Sequence, residues 1–551
     1  MSISDTANSE LSYLLDPNTK KSSFKPRVDV DFDELHNKLR WEYGPSVDPQ
    51  GIHDIIVLCD MDLADYDAEM DHTQAQKKRL NDYKTQLSAL LSPMRLLPNE
   101  ILRIVFEFAC TGNLLQEYPW LLARSPPTKL SSPIIAYLPA LAISAVCKRW
   151  RVLGLASTHL WSQLKLEFSY AEDPEIQQQQ MHGGFISTLQ LYLDRSGDVP
   201  LLIDLEIKNF NDDMPTNPPA LELLLKHTRR WQTFKNTGDY TVSRSQHSFP
   251  NLKDLTLHGY TDASIQEDFE CFRDAPQLCG ISMNQDPELL SSTNLPQHQF
   301  TNLVTELFNA DSFRHFLNLT TLTLRLFDVE PPESGLDPVL LSRLKSLSLI
   351  AAYCDPMILL EHFFPTFTLT SLAELVIHQD DENPGKFTWS DSAFKAFLSR
   401  SSCSLTKLSL SGVVISDTNL IIAIRTLPSL LYLSVGDSTL TETETPITPY
   451  FISSLSGSRF ATNNYDSPPS SLLLPKLRCL SITFAGTSFD DAMFVTMVSS
   501  RWLPDTLSVG IDCLRSVVLH LQKREVDEEV YRPLADLDRM GMRVVVTGKK
   551  I

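Results

Sequence analysis

Cys147 is the residue whose neighbours are best suited to activate a nucleophile. It stands in the segment VCKRWR beside Lys148, Arg149 and Arg151. Nearby cations lower the pKa of a thiol and so favour the reactive thiolate. The same cysteine also falls on the apolar stripe of a helical pattern, where a thiol packs as a small hydrophobe. We expect the packed cysteine, and the reactive nucleophile is the alternative.

A serine motif offers a second possible chemistry. The segment GDSTL at 436–440 is similar to a lipase-type serine motif and makes Ser438 a possible hydrolase nucleophile. It follows a predicted repeat strand instead of standing at the start of the chain, so we expect no catalysis there. The sequence contains no G-x-x-x-x-G-K-[ST] phosphate loop, no H-E-x-x-H and no G-x-S-x-G. We therefore expect a protein that is not an enzyme, with no catalytic residue, metal or cofactor.

The composition disfavours several classes of partner. The 551 residues include 48 Lys and Arg against 68 Asp and Glu, a formal net charge of −20 at pH 7. Nucleic acids and anionic membranes attract basic surfaces, so we expect neither as a partner. Nine scattered cysteines without a C-x-x-C pair argue against a disulfide framework and a zinc site. With no secretory signal pattern and no apolar run of about 18 residues, we expect a cytoplasmic or nuclear protein.

Near the N-terminus the sequence predicts a tail followed by a long helix. Residues 1–25 are polar and rich in serine, so we expect a disordered tail. Asp48 can cap the free amides of a helix, and Pro49 fits the first helical position. Together with Pro93, which ends the apolar pattern, these residues predict a helix over 49–91.

This long helix carries a heptad seam, in which the spacing alternates between four and three residues. The seam consists of Ile52, Ile56, Cys59, Leu63, Tyr66, Met70, Thr73, Lys77, Leu80, Lys84, Leu87 and Leu91. A symmetric dimer would bury the charges of Lys77 and Lys84, which costs free energy. We therefore expect the helix to pack against its own chain, and dimerisation is the alternative.

Three shorter helical patterns follow between residues 93 and 168, and they predict a three-helix bundle. The apolar stripes are Ile101, Leu102, Val105, Phe106 and Ala109 in the first pattern, Ile143, Val146, Cys147 and Trp150 in the second, and Leu160, Trp161 and Leu164 in the third. Pro98 starts the first pattern, and Ser157 with Thr158 starts the third. Residues 110–139 contain five prolines, which exclude a continuous helix and indicate an insertion.

Taken in order, these patterns resemble a known family. LPNEIL at 97–102, VCKRWR at 146–151 and HLWSQL at 159–164 are similar to the F-box, specifically to the F-box-like proteins abundant in mushroom-forming fungi. Those proteins also carry a long helix that ends in a junction like LSPMRLLPNEIL at 91–102. The insertion departs from the compact F-box and leaves the boundary of the second helix open.

The resemblance implies that residues 93–168 dock a Skp-type adaptor and, through it, a cullin. Docking, or presentation of the docking helices, is thereby assigned to Leu97, Pro98, Ile101, Leu102, Val146 and Trp150. Leu97 and Pro98 would lie closest to the adaptor, and Trp150 would be a packing anchor.

A different period appears after residue 200, where L-x-x-L-x-L units recur. Their first leucines are Leu202, Leu252, Leu278, Leu319, Leu344, Leu372, Leu405, Leu430, Leu477 and Leu514. Several intervals fall near the about 20–29 residues of a leucine-rich repeat, and the longer ones indicate insertions or degenerate units. We expect residues 186–551 to stack as strand-and-helix units into a curved parallel solenoid, with an ordinary α/β domain as the alternative. The Pro- and Ser-rich segment 441–471 is expected to be a mobile loop.

The repeat also predicts which strand side chains reach a partner. The second and third leucines of each unit point inward, so their neighbours point outward onto a concave face. The outward set is Asp254, Thr256, His258, Thr321, Thr323, Arg325, Ser346, Ser348, Glu374, Val376, His378, Lys407, Ser409, Ser411, Tyr432, Ser434, Ser481, Thr483, Ser516, Val518 and His520. These mostly small hydroxyl side chains suit a polar protein partner. We expect the three histidines to be solvated, and a pH sensor is the alternative.

Together these observations predict one architecture and one function. The fold class is α plus α/β: a long N-terminal helix and a three-helix F-box-like bundle, followed by a curved leucine-rich-repeat solenoid. The resemblance implies a non-catalytic substrate receptor of a Skp-cullin-F-box ubiquitin ligase, which binds an unidentified protein substrate for proteasomal degradation. The expected substrate contacts are Arg325, Glu374, Lys407 and Tyr432, because charge is sparse on the outward face and Arg and Tyr are enriched among interface anchors. The alternative is a ligase-independent scaffold that joins two proteins through the repeats and the long helix.

Overall fold

The computed structural model describes most of the chain in separate segments. These are residues 26–34, 48–90, 92–116, 137–169, 184–208, 218–237, 247–258, 269–293, 295–306, 308–327, 329, 337–352, 357–380, 385–438, 440–441, 444–457, 472–487, 489–502 and 512–548. The predicted tail at 1–25 lies outside them, as does much of the insertion at 110–139. The chain divides into two units, Met1–Leu102 and Arg103–Ile551, and each is described by itself.

The first unit is dominated by helix α1, Pro49–Leu90. Asp48 caps its start, since the Asp48 side chain accepts a hydrogen bond from the Gln50 amide at 3.2 Å. A short helix α2, Pro93–Leu96, follows. In the first third of α1, Arg27 donates hydrogen bonds to Asp62 through its backbone amide and its guanidinium, both at 2.7 Å. Asp62 is the only buried side chain among those that the structure describes on α1.

Within the first unit the heptad seam of α1 is exposed, so it does not pack against the other described residues of that unit. Packing against the predicted bundle stays a prediction. Leu63 is 60% exposed and Leu80 69% exposed, and no described seam side chain is buried. Apolar side chains are spread around the helix, with Ile55 and Val57 also exposed off the seam. Within the first unit, the helix is therefore stabilised by its own backbone hydrogen bonds and by the Arg27 contact. A stripe of apolar side chains remains exposed there.

The helical region that resembles an F-box has different boundaries from those predicted. Helix α3 spans Asn99–Ala109, and the second pattern forms two helices, α4 at Pro139–Val146 and α5 at Lys148–Ala156. Cys147 separates them in an extended conformation, and its Sγ caps α5 by accepting a hydrogen bond from the Trp150 amide at 3.5 Å. The third pattern is a single 3₁₀ turn, Thr158–Trp161. The predicted continuous second helix and the three-helix bundle are therefore wrong.

A single sheet of fifteen parallel strands forms the body of the second unit, and its strand order follows the chain order. The strands are β1 Asn113–Gln116, β2 Gln163–Ser169, β3 Leu201–Lys208, β4 Trp231–Thr237, β5 Asp254–His258, β6 Gly280–Met283, β7 Asn302–Thr305, β8 Thr321–Leu326, β9 Ser346–Ala351, β10 Glu374–Gln379, β11 Lys407–Ser411, β12 Tyr432–Gly436, β13 Cys479–Phe484, β14 Ser516–Leu521 and β15 Arg543–Gly548. Because every strand pairs only with its sequence neighbours in this sheet, the architecture is a solenoid of the leucine-rich-repeat type.

The predicted repeat phase is confirmed. In nine of the ten units the strand begins two residues after the first leucine, as with Leu344 and β9. In those nine units the first, second and third apolar residues are buried, and Leu344, Leu347 and Leu349 are at most 1% exposed. These side chains form a continuous apolar ladder behind the sheet.

Five strands of this sheet escaped the repeat pattern. β4, β7 and β15 have the sequences WQTFKNT, NLVT and RVVVTG, which lack the L-x-x-L-x-L spacing. β1 and β2 lie within the region that was predicted to be the F-box-like domain. The predicted solenoid boundary at residue 186 is therefore wrong, because the sheet already begins at Asn113.

Helices and turns cover the apolar side of the sheet between the strands. The helices are α6 Gly184–Ser196, α7 Pro219–Leu225, α8 Leu289–Ser292, α9 Leu360–Phe363, α10 Asp391–Ser401, α11 Asp417–Arg425, α12 Pro449–Ser454, α13 Asp491–Trp502 and α14 Glu528–Arg539. Helix α12 corrects the prediction of a mobile loop at 441–471, because Phe451 and Ile452 are buried in the core. The part of that loop at 458–471 lies outside the described residues.

Asn113 is a buried polar connection at the start of the sheet. Its side-chain amide donates hydrogen bonds to the carbonyls of Leu160 at 2.8 Å and Gln163 at 3.1 Å. Its carbonyl accepts hydrogen bonds from the Ala140 amide at 3.2 Å and the Tyr192 hydroxyl at 3.3 Å. One side chain thereby connects β1 to α4, to the 3₁₀ turn and to α6.

Arg501 has the same kind of role near the C-terminal end of the solenoid. It is 1% exposed and donates hydrogen bonds to the backbone carbonyls of Leu455, Leu473 and Leu474. Burial lowers the pKa of its guanidinium to about 10. Arg501 thereby connects helix α13 to the segment before residues 458–471 and to the segment after them.

Candidate functional site

The side of the sheet opposite the apolar ladder is accessible, and we call it the open face. Its middle line of side chains, the central row, runs in register across twelve strands from β4 to β15. The central row consists of Lys235, Thr256, Ser282, Val304, Thr323, Ser348, Val376, Ser409, Ser434, Ser481, Val518 and Val545.

After Lys235 every member of the central row is an uncharged Ser, Thr or Val. Such short side chains lose little conformational entropy when they are covered. Hydroxyl groups on this surface can donate hydrogen bonds to, and accept them from, the polar groups of a protein. The central row is therefore suited to a polypeptide partner.

Three of the four expected substrate contacts lie together beside the central row. Glu374, Lys407 and Tyr432 occupy matching positions on β10, β11 and β12. The Lys407 Nζ lies 3.3 Å from a Glu374 carboxylate oxygen and 5.8 Å from the centre of the Tyr432 ring. We call these three residues the contact trio. Both charged side chains of the trio are about two-fifths exposed, so they remain accessible to a partner.

Arg325 does not join the contact trio. Its guanidinium forms ion pairs with Glu306 at 3.2 Å and with Asp380 at 3.1 Å. Asp380 is nearly buried, so one function of Arg325 is to neutralise a carboxylate within the fold. Arg325 therefore has no neighbour from the contact trio, and its assignment as a substrate contact rests on its outward position alone.

The three outward histidines have different surroundings. His378 is half-buried, and its Nδ1 lies 2.9 Å from the Gln379 carbonyl oxygen. His258 is half-buried and lies 3.3 Å from the Ser282 hydroxyl. Burial, with the nearby charges of Lys235 and Arg325, lowers the pKa of His258 to about 4. His520 is exposed and pairs with a threonine hydroxyl. The expectation of three solvated histidines is thus wrong for His258.

Four of the six expected adaptor contacts belong to the first unit. Leu97 is half-buried and Pro98 is exposed. Ile101 is 44% exposed and Leu102 is fully buried. Leu102 can therefore only support the surface from inside, whereas the other three can contact a protein.

The other two expected contacts belong to the second unit. Val146, at the end of α4, is 60% exposed. Trp150 is half-buried, and its ring centre lies 4.9 Å from that of Phe106. Trp150 therefore packs against α3, whereas Val146 is free to contact another protein.

Helix α3 has an exposed apolar stripe that the sequence interpretation missed. Ile101, Ile104, Val105 and Phe108 are spaced i, i+3, i+4 and i+7, and Phe108 is 80% exposed. The predicted stripe instead turned Ile101, Val105 and Ala109 inward, yet all three are exposed. Only one face of a short surface helix is needed for the core. Since apolar residues occupy two faces of α3, the sequence already indicated that one apolar face would be exposed.

The two residues considered for nucleophilic chemistry have structural contacts. Cys147 is exposed, which corrects the expectation that it packs on a buried stripe. Ser438 accepts a hydrogen bond from the Gln522 side chain at 2.8 Å. The preceding Asp437 is buried, and burial raises the pKa of its carboxyl group. This carboxylate accepts hydrogen bonds from the Thr445 hydroxyl and the Ala485 amide.

The described residues contain no group of three or more His, Cys, Asp or Glu side chains placed to hold a metal ion. No helix among them is long and apolar enough to cross a membrane.

No protein-family model and no curated protein matches this chain. Among solved structures, it is similar to an internalin from Listeria monocytogenes, with 16% identity, a TM-score of 0.31, and coverage of 65% of this chain and 82% of that chain. It is also similar to the structure of a TLR13–ssRNA13 complex, with 15% identity, a TM-score of 0.34, and coverage of 71% of this chain and 47% of that chain. Likenesses of this size carry no argument about function. The solenoid assignment follows from the strand order and the repeat phase.

Proposed function

We propose that this chain is a substrate receptor of a Skp-cullin-F-box ubiquitin ligase in the cytoplasm or nucleus. In this proposal α3 and the segment before it dock a Skp-type adaptor, and the open face holds a protein substrate. The observation that carries the proposal is the exposed apolar stripe of α3, which lies within the segment that resembles an F-box.

The stripe has the chemistry of a docking surface for a helical protein. Ile101, Ile104 and Phe108 expose 44%, 48% and 80% of their surfaces. Leu96, just before the LPNEIL segment, is 84% exposed. A soluble protein seldom leaves several large apolar side chains exposed on one helix without a partner. The apolar anchors would bury in the adaptor, and the polar residues around them would form the rim.

The proposed substrate surface combines the central row with the contact trio. The central row offers hydroxyl groups over many strands, and Lys407 and Tyr432 offer a cation and an aromatic ring at one position. Arg and Tyr are enriched among residues that dominate binding energies. Since Arg325 is occupied by two carboxylates, we place the principal contact at the trio.

The receptor itself would perform no bond chemistry. It would hold a substrate lysine near ubiquitin carried by a recruited conjugating enzyme, and thereby raise the effective concentration of the reacting groups. The contribution of this chain would be geometric: one surface for the adaptor and another for the substrate.

Adaptor capture from cells tests the proposal. The Leu97→Ala and Pro98→Ala double variant should lose a co-purifying Skp-type adaptor and keep the circular dichroism spectrum of the wild type. Leu317→Glu is the matched control, because Leu317 is a 66% exposed apolar residue of the solenoid. If the double variant captures the adaptor as well as the wild type, the docking assignment is wrong.

A ligase-independent scaffold is the second candidate function. It is favoured by the length of the open face, which can bind protein without any adaptor. Affinity capture with mass spectrometry, with and without proteasome inhibition, separates the two functions. A scaffold retains its captured proteins at the same level under both conditions, whereas substrates of a ligase accumulate when the proteasome is inhibited.

A further inference from the structure

We propose that α1 associates with α1 of a second copy of this chain in antiparallel orientation. The helix is 42 residues long, about 63 Å at 1.5 Å per residue. The α1 residues involved belong to neither the proposed adaptor surface nor the proposed substrate surface.

The first support is an exposed seam with the period of a coiled coil. Seven apolar seam residues are between 46% and 69% exposed: Ile52, Ile56, Leu63, Tyr66, Met70, Leu80 and Leu87. A seam that repeats every 3.5 residues stays in contact with another helix along its length when the two helices supercoil. A second copy carries the same period and can therefore cover the whole stripe.

The second support is the separation of charge along α1. Residues 49–72 contain seven Asp and Glu and no Lys or Arg, whereas residues 73–90 contain four Lys and Arg and one Asp. Arg27 pairs with Asp62 and Asp65, and this single cation leaves the acidic half with a negative excess. A parallel pair would place like charges together, but an antiparallel pair places each acidic half beside a basic half.

The seam lysines select the same orientation. A parallel pair in register would place Lys77 against Lys77 and Lys84 against Lys84, in the middle of the contact. An antiparallel pair centred between Asp71 and His72 instead brings Lys77 level with Tyr66, and Lys84 level with Cys59. The aliphatic stem of each lysine can then cover the apolar seam while its ammonium group reaches acidic neighbours.

This antiparallel register also matches the apolar seam positions. Leu63 of one copy lies level with Leu80 of the other, and Ile56 lies level with Leu87. Asp67 and Asp60 directly follow Tyr66 and Cys59, so carboxylates stand beside both lysine levels. The seam and the charges are thus complementary in one register.

Sedimentation of the full chain tests the association. We expect a concentration-dependent dimer at micromolar protein, and a dissociation constant that rises with salt because exposed charges are screened. The double variant Leu63→Glu and Leu80→Glu should raise that constant by at least about tenfold. Met61→Glu is the control, because Met61 is 48% exposed but lies off the seam. A monomer at all concentrations, or a dimer unaffected by the double variant, would overturn the proposal.

Charge reversal tests the orientation without changing the apolar seam. In the antiparallel pair, Lys77→Glu with Lys84→Glu places acids beside acids and should weaken the dimer about tenfold. Adding Asp60→Lys and Asp67→Lys to the same chain should restore it. A parallel pair keeps like charges together in all three proteins, so equal dimer stability in the three would contradict the antiparallel orientation.

Discussion

The regular part of the solenoid and two of its irregular regions are stabilised in different ways. From β8 to β12, successive strands bury alternate apolar side chains, such as Leu347 and Leu349, with the same phase. At the start of the sheet and around residues 455–474, the spacing is broken, and a single buried polar side chain satisfies several backbone carbonyls. Asn113 and Arg501 are those side chains.

This difference follows from where the backbone hydrogen bonds go. In the regular part, the amide of one strand meets the carbonyl of its neighbour at every unit, so apolar side chains can fill the core. Where the chain leaves that pattern, carbonyls are freed inside the protein and need another donor. The free energy of unfolding should therefore depend more strongly on one polar side chain in the irregular regions than in the regular part.

The largest effect is expected for Arg501→Ala. This change removes the guanidinium donor from three buried carbonyls, although the Leu474 carbonyl still accepts a hydrogen bond from the Leu477 amide, and it opens a cavity. We therefore expect the free energy of unfolding to fall by about 4 kcal/mol. Urea unfolding followed by circular dichroism measures it. The control is Arg478→Ala, because the Arg478 side chain is 43% exposed and its described hydrogen bond goes to Asp512 alone. A loss of under about 1 kcal/mol is expected there. Equal losses of unfolding free energy in the two arginine variants would contradict this explanation of the region around Arg501.

Asn113→Ala should have the next largest effect. The substitution removes four hydrogen bonds of a fully buried side chain, and we expect a loss of about 3 kcal/mol. Asn251→Ala is the matched control, since Asn251 donates to the Arg229 carbonyl from an exposed position. If both asparagine variants unfold at the same urea concentration, Asn113 does not hold the start of the sheet.

The half-buried His258 should make stability depend on acid. Its pKa is lowered to about 4 in the folded protein from about 6.5 in an unfolded chain. Below about pH 6.5 the unfolded chain therefore binds the additional proton, and stability falls as the pH approaches 4. His258→Gln should make the unfolding midpoint less sensitive to pH across that window. His520→Gln controls for the loss of an imidazole from the open face, and an unchanged pH profile in His258→Gln would refute the prediction.

The central row should show the smallest effect on stability. Ser348→Ala and Ser409→Ala remove only half-buried hydroxyls, so each should change the free energy of unfolding by less than about 0.5 kcal/mol. Replacement of the contact trio residue Tyr432 by Ala should weaken substrate binding while adaptor capture stays intact. A larger loss of stability in the serine variants would show that the open face also supports the fold.

The sequence predicts the regular part of the fold well, because spacing there carries the structural information. Each L-x-x-L-x-L unit specifies three buried positions, and these fix both the strand and its outward face. β4, β7 and β15 could not be recognised in this way, since the bulky or β-branched residues that fill their inward positions occur in many contexts. β1 was hidden because four residues give too short a pattern to separate strand from loop.

The candidate sites also differ in how far the repeat spacing predicts them. The contact trio follows from the repeat phase, which places Glu374, Lys407 and Tyr432 on adjacent strands. The ion pairs of Arg325 could not be predicted, because Glu306 and Asp380 lie outside the repeat units. The outward stripe of α3 was missed because a helix with two apolar faces does not reveal from its sequence which face enters the core.

Titration of a purified Skp-type adaptor against the purified chain tests the central claim most directly. Phe108→Glu places a charge at the most exposed large apolar side chain of α3. We expect the dissociation constant to rise at least about a hundredfold, since a desolvated charge in an apolar contact costs several kcal/mol. Leu317→Glu, with a charge on the solenoid, should bind like the wild type. Equal binding by the wild type and Phe108→Glu, or no binding by the wild type, would contradict the proposal that this chain is an adaptor-docked receptor.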